Sequence, residues 1–136
     1  MVDIITSIIA HCKADATLVA LLPGSTYIAT EFDVTNVTLP QIAVSEVSRT
    51  REYGGPIDAT VRFWVRSATR SSSISIRNRL AVLFNEGSHY TISTGGDALV
   101  CAVSDYISGE ALDKDDAIGA FDVQEDYRFL LASQVA

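Results

Sequence analysis

From Ile57 to Ser67 the chain alternates. Ile57, Ala59, Val61, Phe63 and Val65 are apolar; Asp58, Thr60, Arg62 and Arg66 between them are polar, with Trp64 as the large exception. A period of two places the sets on opposite faces of a strand, one row for a core and one for solvent or a partner. After Ser67 and Ala68 the period changes. Ile76, Leu80, Leu83 and Phe84 recur at helical spacing, Ser71, Ser72 and Ser73 offer N-cap hydroxyls, and Gly87 is a natural stop. A helix this close behind a strand can fold back and lay its stripe over the strand's apolar row. That pair is the expected core.

Upstream, Ile4, Ile5, Ile8, Ile9 and Cys12 form a stripe over residues 3 to 13, with Asp3 and Lys13 well placed at the two ends of the helix dipole. Asp15 can cap a second, short helix whose Leu18, Leu21 and Leu22 turn inward before Pro23 and Gly24 end it. Residues 25 to 32, with Tyr27, Ile28 and Phe32, predict a short strand. Pro40 leads a strand from Gln41 to Arg49 that returns through Tyr53-Gly54-Gly55-Pro56, making a long hairpin with a flexible polar tip at Ser48 to Pro56. Beyond the central helix, residues 89–93 and 98–107 predict strands joined by Thr94-Gly95-Gly96-Asp97. Residues 108 to 120 read as an acidic loop. A last amphipathic strand follows, in which Glu125 is the misfit on the apolar row of Val123, Tyr127, Phe129 and Leu131. The expected fold is α+β: a mostly antiparallel sheet carrying N-terminal helices and one central helix, in the order α-α-β-β-β-α-β-β-β, as a single domain over 1–136.

Composition agrees with a globular chain. At 48% hydrophobic and 20% charged residues it is not of the disordered class. No apolar run approaches the roughly 20 residues of a membrane helix, and Met1-Val2-Asp3 has no basic n-region, so a soluble, non-secreted protein is expected. Cys12 and Cys101 have no metal-ligand spacing and read as reduced, buried residues.

Charge adds a sharper feature. Seven of the ten basic residues (Arg49, Arg51, Arg62, Arg66, Arg70, Arg77, Arg79) lie between 49 and 79 with only Glu52 and Asp58 against them, whereas the stretch from Glu86 onward has ten acids facing Lys114 and Arg128. A subunit cationic in one segment and anionic in another suits head-to-tail contact with its own copies. The alternative is two solvated faces. Nucleic-acid binding is disfavoured by the net charge of −7 and by arginines with few interleaved aromatics.

Candidate chemistry is sparse. Thr94-Gly95-Gly96-Asp97 sits between strands and lacks the Lys-Ser/Thr of a phosphate loop. Counted from Asp113, the calcium-loop glycine position holds Ile118, one residue before Gly119. His11 and His89 have no nucleophile context, and Asp115-Asp116 has no evident pocket to separate the two pKa values. Neither an enzyme nor a cofactor or metal site is expected.

The element order, together with Leu39-Pro40-Gln41-Ile42-Ala43-Val44, Arg62-Phe63-Trp64-Val65, the helix to Asn85 and Asp126-Tyr127-Arg128-Phe129, resembles the tail-completion or tail-terminator proteins of long-tailed bacteriophages. The resemblance covers nearly the whole chain, except for the acidic loop at 108 to 120. It implies a virion subunit, assembled in the host cytoplasm. The subunit would form a homo-oligomeric, hexameric ring that caps the tail tube, stops its polymerisation and meets a head-side connector or stopper protein, with DNA passing through the lumen without specific binding. The alternatives are a neighbouring neck component, such as a head-completion or connector protein, and a small ligand-binding regulatory module.

Three surface roles are expected on this basis. Arg62, Trp64 and Arg66 would form a subunit interface that meets a neighbour's acidic residues, since Trp and Arg are enriched at such contacts; otherwise Trp64 is covered by its own N-terminal helices. Arg49, Arg51, Glu52 and Tyr53 at the hairpin tip would contact the tail tube. Asp113, Asp115 and Asp116 would line the lumen and keep passing DNA from sticking.

Overall fold

Strand pairing organises the chain into one six-stranded sheet. The computed structural model describes residues 4–32, 38–51, 57–84, 90–94, 97–111 and 120–133. Its elements are α1 (Ile4–Lys13), α2 (Ala16–Ala20), a 3-10 turn (Ser25–Tyr27), β1 (Ile28–Ala29), β2 (Gln41–Arg51), β3 (Ile57–Ser67), α3 (Arg70–Phe84), β4 (Tyr90–Thr94), β5 (Asp97–Ala111) and β6 (Phe121–Ser133). The sheet order is β1-β2-β3-β6-β5-β4, antiparallel throughout except for the β1–β2 pair. This is the expected α+β class and element order.

β3 shows why the alternation matters. Burial alternates residue by residue along its length, and Ala59, Val61, Phe63 and Val65 are fully enclosed. α3 covers that row with Ile76, Leu80 and Phe84; Ser73 completes its buried stripe, while Leu83 is only partly buried. Phe84 lies at the centre, with ring centroids 5.3 Å from Phe63, 5.4 Å from Phe129 and 6.1 Å from Tyr127. Edge-on and offset aromatic pairs of this kind add to their area burial. Ile4, Ile5, Ile8 and Cys12 of α1 complete the same core.

Local details depart from expectation where tertiary packing takes over. β1 is only two residues long, because a 3-10 turn occupies Ser25–Tyr27. The α3 cap is Thr69, whose Oγ1 accepts from the Ser72 N–H at 3.1 Å; β3 ends at Ser67, so the helix begins before the serines expected to cap it. Gly87 lies outside the described residues. β5 continues to Ala111, placing residues 108–111 of the expected acidic loop in a strand, with Gly109 opposite Glu125. The hairpin ladder likewise runs through Arg51, opposite Ile57, so the arginines assigned to a flexible tip belong to a paired strand.

Asp15 ties the helical layer together. Its carboxylate accepts from the Leu18 N–H at 2.9 Å as the α2 N-cap and binds Arg79 of α3 at 2.7 and 2.8 Å. The Arg79 hydrogen bond is the main cause holding the Asp15 carboxyl below its ordinary value of 3.8. A carboxyl that is more acidic folded than unfolded stabilises fully above that value and loses its contribution as pH falls through and below it. Asp15→Asn should therefore lower the thermal midpoint at neutral pH and flatten its decline between about pH 5 and pH 2 in calorimetry. Phe84→Ala should cost roughly 3–5 kcal/mol in urea unfolding, since it empties the middle of the aromatic cluster.

Candidate functional site

The polar row of β3 faces away from the helices and is sewn to β6 by ion pairs. Arg62 lies opposite Asp126 in register and Arg66 opposite Asp122. Each guanidinium grips its carboxylate with two nitrogens, at 2.9 and 3.2 Å for the first pair and 2.8 and 2.9 Å for the second. Arg128 reaches diagonally to Asp58 at 2.7 Å. With its amide turned so that the oxygen faces Arg62, Gln124, opposite Trp64, also accepts from that guanidinium at 3.0 Å. Half-exposed cross-strand pairs contribute only about 0.2–1 kcal/mol each. Their larger effect is on register, since a slip by one residue would set the arginines against the core.

Trp64 is half-buried within this ladder, not covered by α1 and α2, which pack on the other face. The Arg62 guanidinium lies 5.7 Å from its ring centroid, and Arg66 lies 4.3 Å from that of Phe32. The carboxylates that meet Arg62 and Arg66 are their own chain's. Arg49 is held by Glu46, three residues away, at 2.6 and 2.8 Å. Adding Arg77 on Glu125 and Arg79 on Asp15, five basic residues of the cationic segment have acidic partners inside the chain among the described residues. Three of these, Arg62, Arg66 and Arg77, meet Asp126, Asp122 and Glu125 of the anionic segment, so the two segments are joined on β6. Glu52, Tyr53, Asp113, Asp115 and Asp116 lie outside the described residues.

On the helix side of the sheet is a feature the sequence signals only as a misfit. Glu125 is 3% exposed, on the core face of β6, opposite Phe63 on one side and Gly109 on the other. Arg77 of α3 donates to its Oε1. Oε2 is buried without a hydrogen-bond partner, a condition that costs about 1–3 kcal/mol. Glu125 borders an open groove of about 330 Å³ between α3 and β5–β6, lined also by Ile74, Arg77, Asn78, Ala81, Tyr106 and Tyr127. Burial, then the charge of Glu125, raises the pKa of both tyrosine hydroxyls above the ordinary value. Ile74 and Tyr106 remain 45% and 43% exposed at the rim. Sequence reasoning could have flagged Glu125 by asking what neutralises an acid on an apolar row; Arg77, beside the α3 stripe, is the answer, but only the packing pairs them.

Among the described residues, two further ionisable groups pack with the core. His11 packs against Phe84 at 5.7 Å between ring centroids. Cys12 is fully enclosed, and burial pushes its thiol far above the usual range, which makes it unreactive. No cluster of three or more metal-ligating side chains occurs among the described residues, and no described helix is long and apolar enough to cross a membrane.

No protein-family model matches the chain, and no curated protein matches it. Among solved structures, the chain shares its fold with a chain of the virion of a native gene transfer agent particle. The TM-score is 0.69, the identity 12%, and the match covers 94% of this chain and 93% of the other.

A side chain at position 109 tests how tightly the Glu125 site is built. A Cβ added to Gly109 would overlap both Glu125 Oε2 and the Tyr106 hydroxyl. Gly109→Ala should destabilise by about 1–3 kcal/mol in chemical denaturation, the cost of overpacking, while Ser48→Ala, on an exposed position, should leave the midpoint within about 0.5 kcal/mol.

Proposed function

We propose that this chain is a structural, non-catalytic virion protein that closes into a hexameric ring on the end of a phage-type tail tube. The ring stops tube polymerisation and offers its other side to a head-side connector or stopper. The observation that carries this reading is the fold shared over nearly the full length of both chains with a component of a gene transfer agent virion. The resemblance to tail terminators supports it independently. The ladder surface of Arg62, Trp64 and Arg66 supplies a subunit contact. Its charges are already balanced within the chain, so Trp64 contributes apolar area, with the Arg62 guanidinium over its ring. The end of the β2–β3 hairpin, with Arg49, Arg51, Glu52 and Tyr53, meets the tube. Asp113, Asp115 and Asp116 face the lumen, through which DNA passes unbound.

The same fold match also fits a neighbouring neck ring, and the groove beside Glu125 fits a small ligand-binding regulator. Negative-stain microscopy of the purified protein with and without tail tubes separates the three. A tail terminator gives six-fold rings seated on tube ends and tubes that no longer elongate. A head-side neck component leaves tube ends bare, and a regulator remains a monomer or dimer that ignores tubes. Deleting Arg51 to Gly54 should keep rings but abolish seating on tubes; loss of rings in that variant would count against the assigned tube contact.

A further inference from the structure

The Glu125 site is half-filled. Arg77 occupies Oε1, while Oε2 is an enclosed acceptor with no donor, at the edge of a groove roomy enough for a large side chain. Since Arg77 already balances the charge, a neutral donor on a flat apolar body suits the site better than a second full cation. An indole meets both demands: its N–H only donates, and its ring would lie against exposed Ile74 and Tyr106.

The opposite face of the same sheet carries such a group. Phe63 is the register partner of Glu125, and Trp64 is the next residue, so Trp64 and Glu125 stand back to back on the two faces. We infer that Trp64 of one copy enters the α3–β5–β6 groove of the next, its ring against Ile74 and Tyr106 and its N–H on Glu125 Oε2. This rests on the ring reading above and deepens it by naming the two halves of the subunit contact. Charge does not oppose the contact, because Arg62 beside the indole is balanced by Asp126 and Glu125 in the groove by Arg77. The contact requires the Tyr106 hydroxyl, which lies beside Oε2, to give way to the indole N–H. Two unlike patches on opposite faces of one subunit make a head-to-tail contact, the type that closes a ring.

Trp64 is the chain's only tryptophan, so fluorescence reads the contact without any substitution. Assembly of the wild-type protein should shift its emission to the blue. Trp64→Ala removes the knob, and Ala81→Phe fills the groove from a half-buried helix position. With native circular dichroism, each should weaken self-association about 30-fold or more in sedimentation velocity. Mixed in equal amounts, the first retains a groove and the second a knob, so the mixture should give dimers and nothing larger. Wild-type rings without a tryptophan shift, rings from either variant, or a mixture that stays monomeric would overturn the inference and leave the ring reading standing. Wild-type protein that stays monomeric even with tail tubes would overturn both.

Discussion

The pairing of β3 with β6 is the constraint on which the rest of the structure depends. The two strands are far apart in sequence and lie side by side in the sheet. On one face their register joins Val61, Phe63 and Val65 to Tyr127, Glu125 and Val123 beneath α3; on the other it sets Arg62 and Arg66 opposite Asp126 and Asp122. A shift of one residue would expose the aromatic core and push guanidinium groups into it at once. The ion pairs add little free energy individually, but they penalise the wrong register. Hydrophobic burial drives the fold and the charge ladder selects one version of it.

The same pairing produces two unlike surfaces. The outer face is a polar ladder in which one tryptophan stands among satisfied charges. On the helix face α1 and α3 cover the buried apolar row, and the groove beside Glu125 lies open between α3 and β5–β6. Gly109 makes that opening possible, since any side chain there would occupy the space of the carboxylate and of Tyr106. On the proposed reading, the half-buried tryptophan of one face and the recess of the other are the two halves of a contact between copies.

Much of this was legible in the sequence, because period is a local property. The alternation of Ile57 to Ser67, the stripe of Ile76, Leu80 and Phe84, and the Asp15 cap each rest on residues a few positions apart, and each element forms where its pattern lies. The failures also have a common cause. The serines did not cap α3, because the helix begins at Arg70 and Thr69 took the cap; Arg49 and Arg51 did not form a flexible tip, because the hairpin ladder includes both. Where competing local options are close in energy, long-range pairing chooses between them.

By itself, then, the sequence determined the element types, their order, the α+β class and the identity of the apolar rows, since side-chain periodicity fixes which residues can share a face. Only the tertiary structure decided which charges meet. A cationic segment and an anionic one looked like two poles along the chain. Their adjacency in the sheet makes them partners instead, and leaves the buried oxygen of Glu125 as the unfilled acceptor at the groove. The physical reason is that electrostatic interaction depends on distance in space, and spacing along the chain says nothing about distance between strands that pair from its two halves.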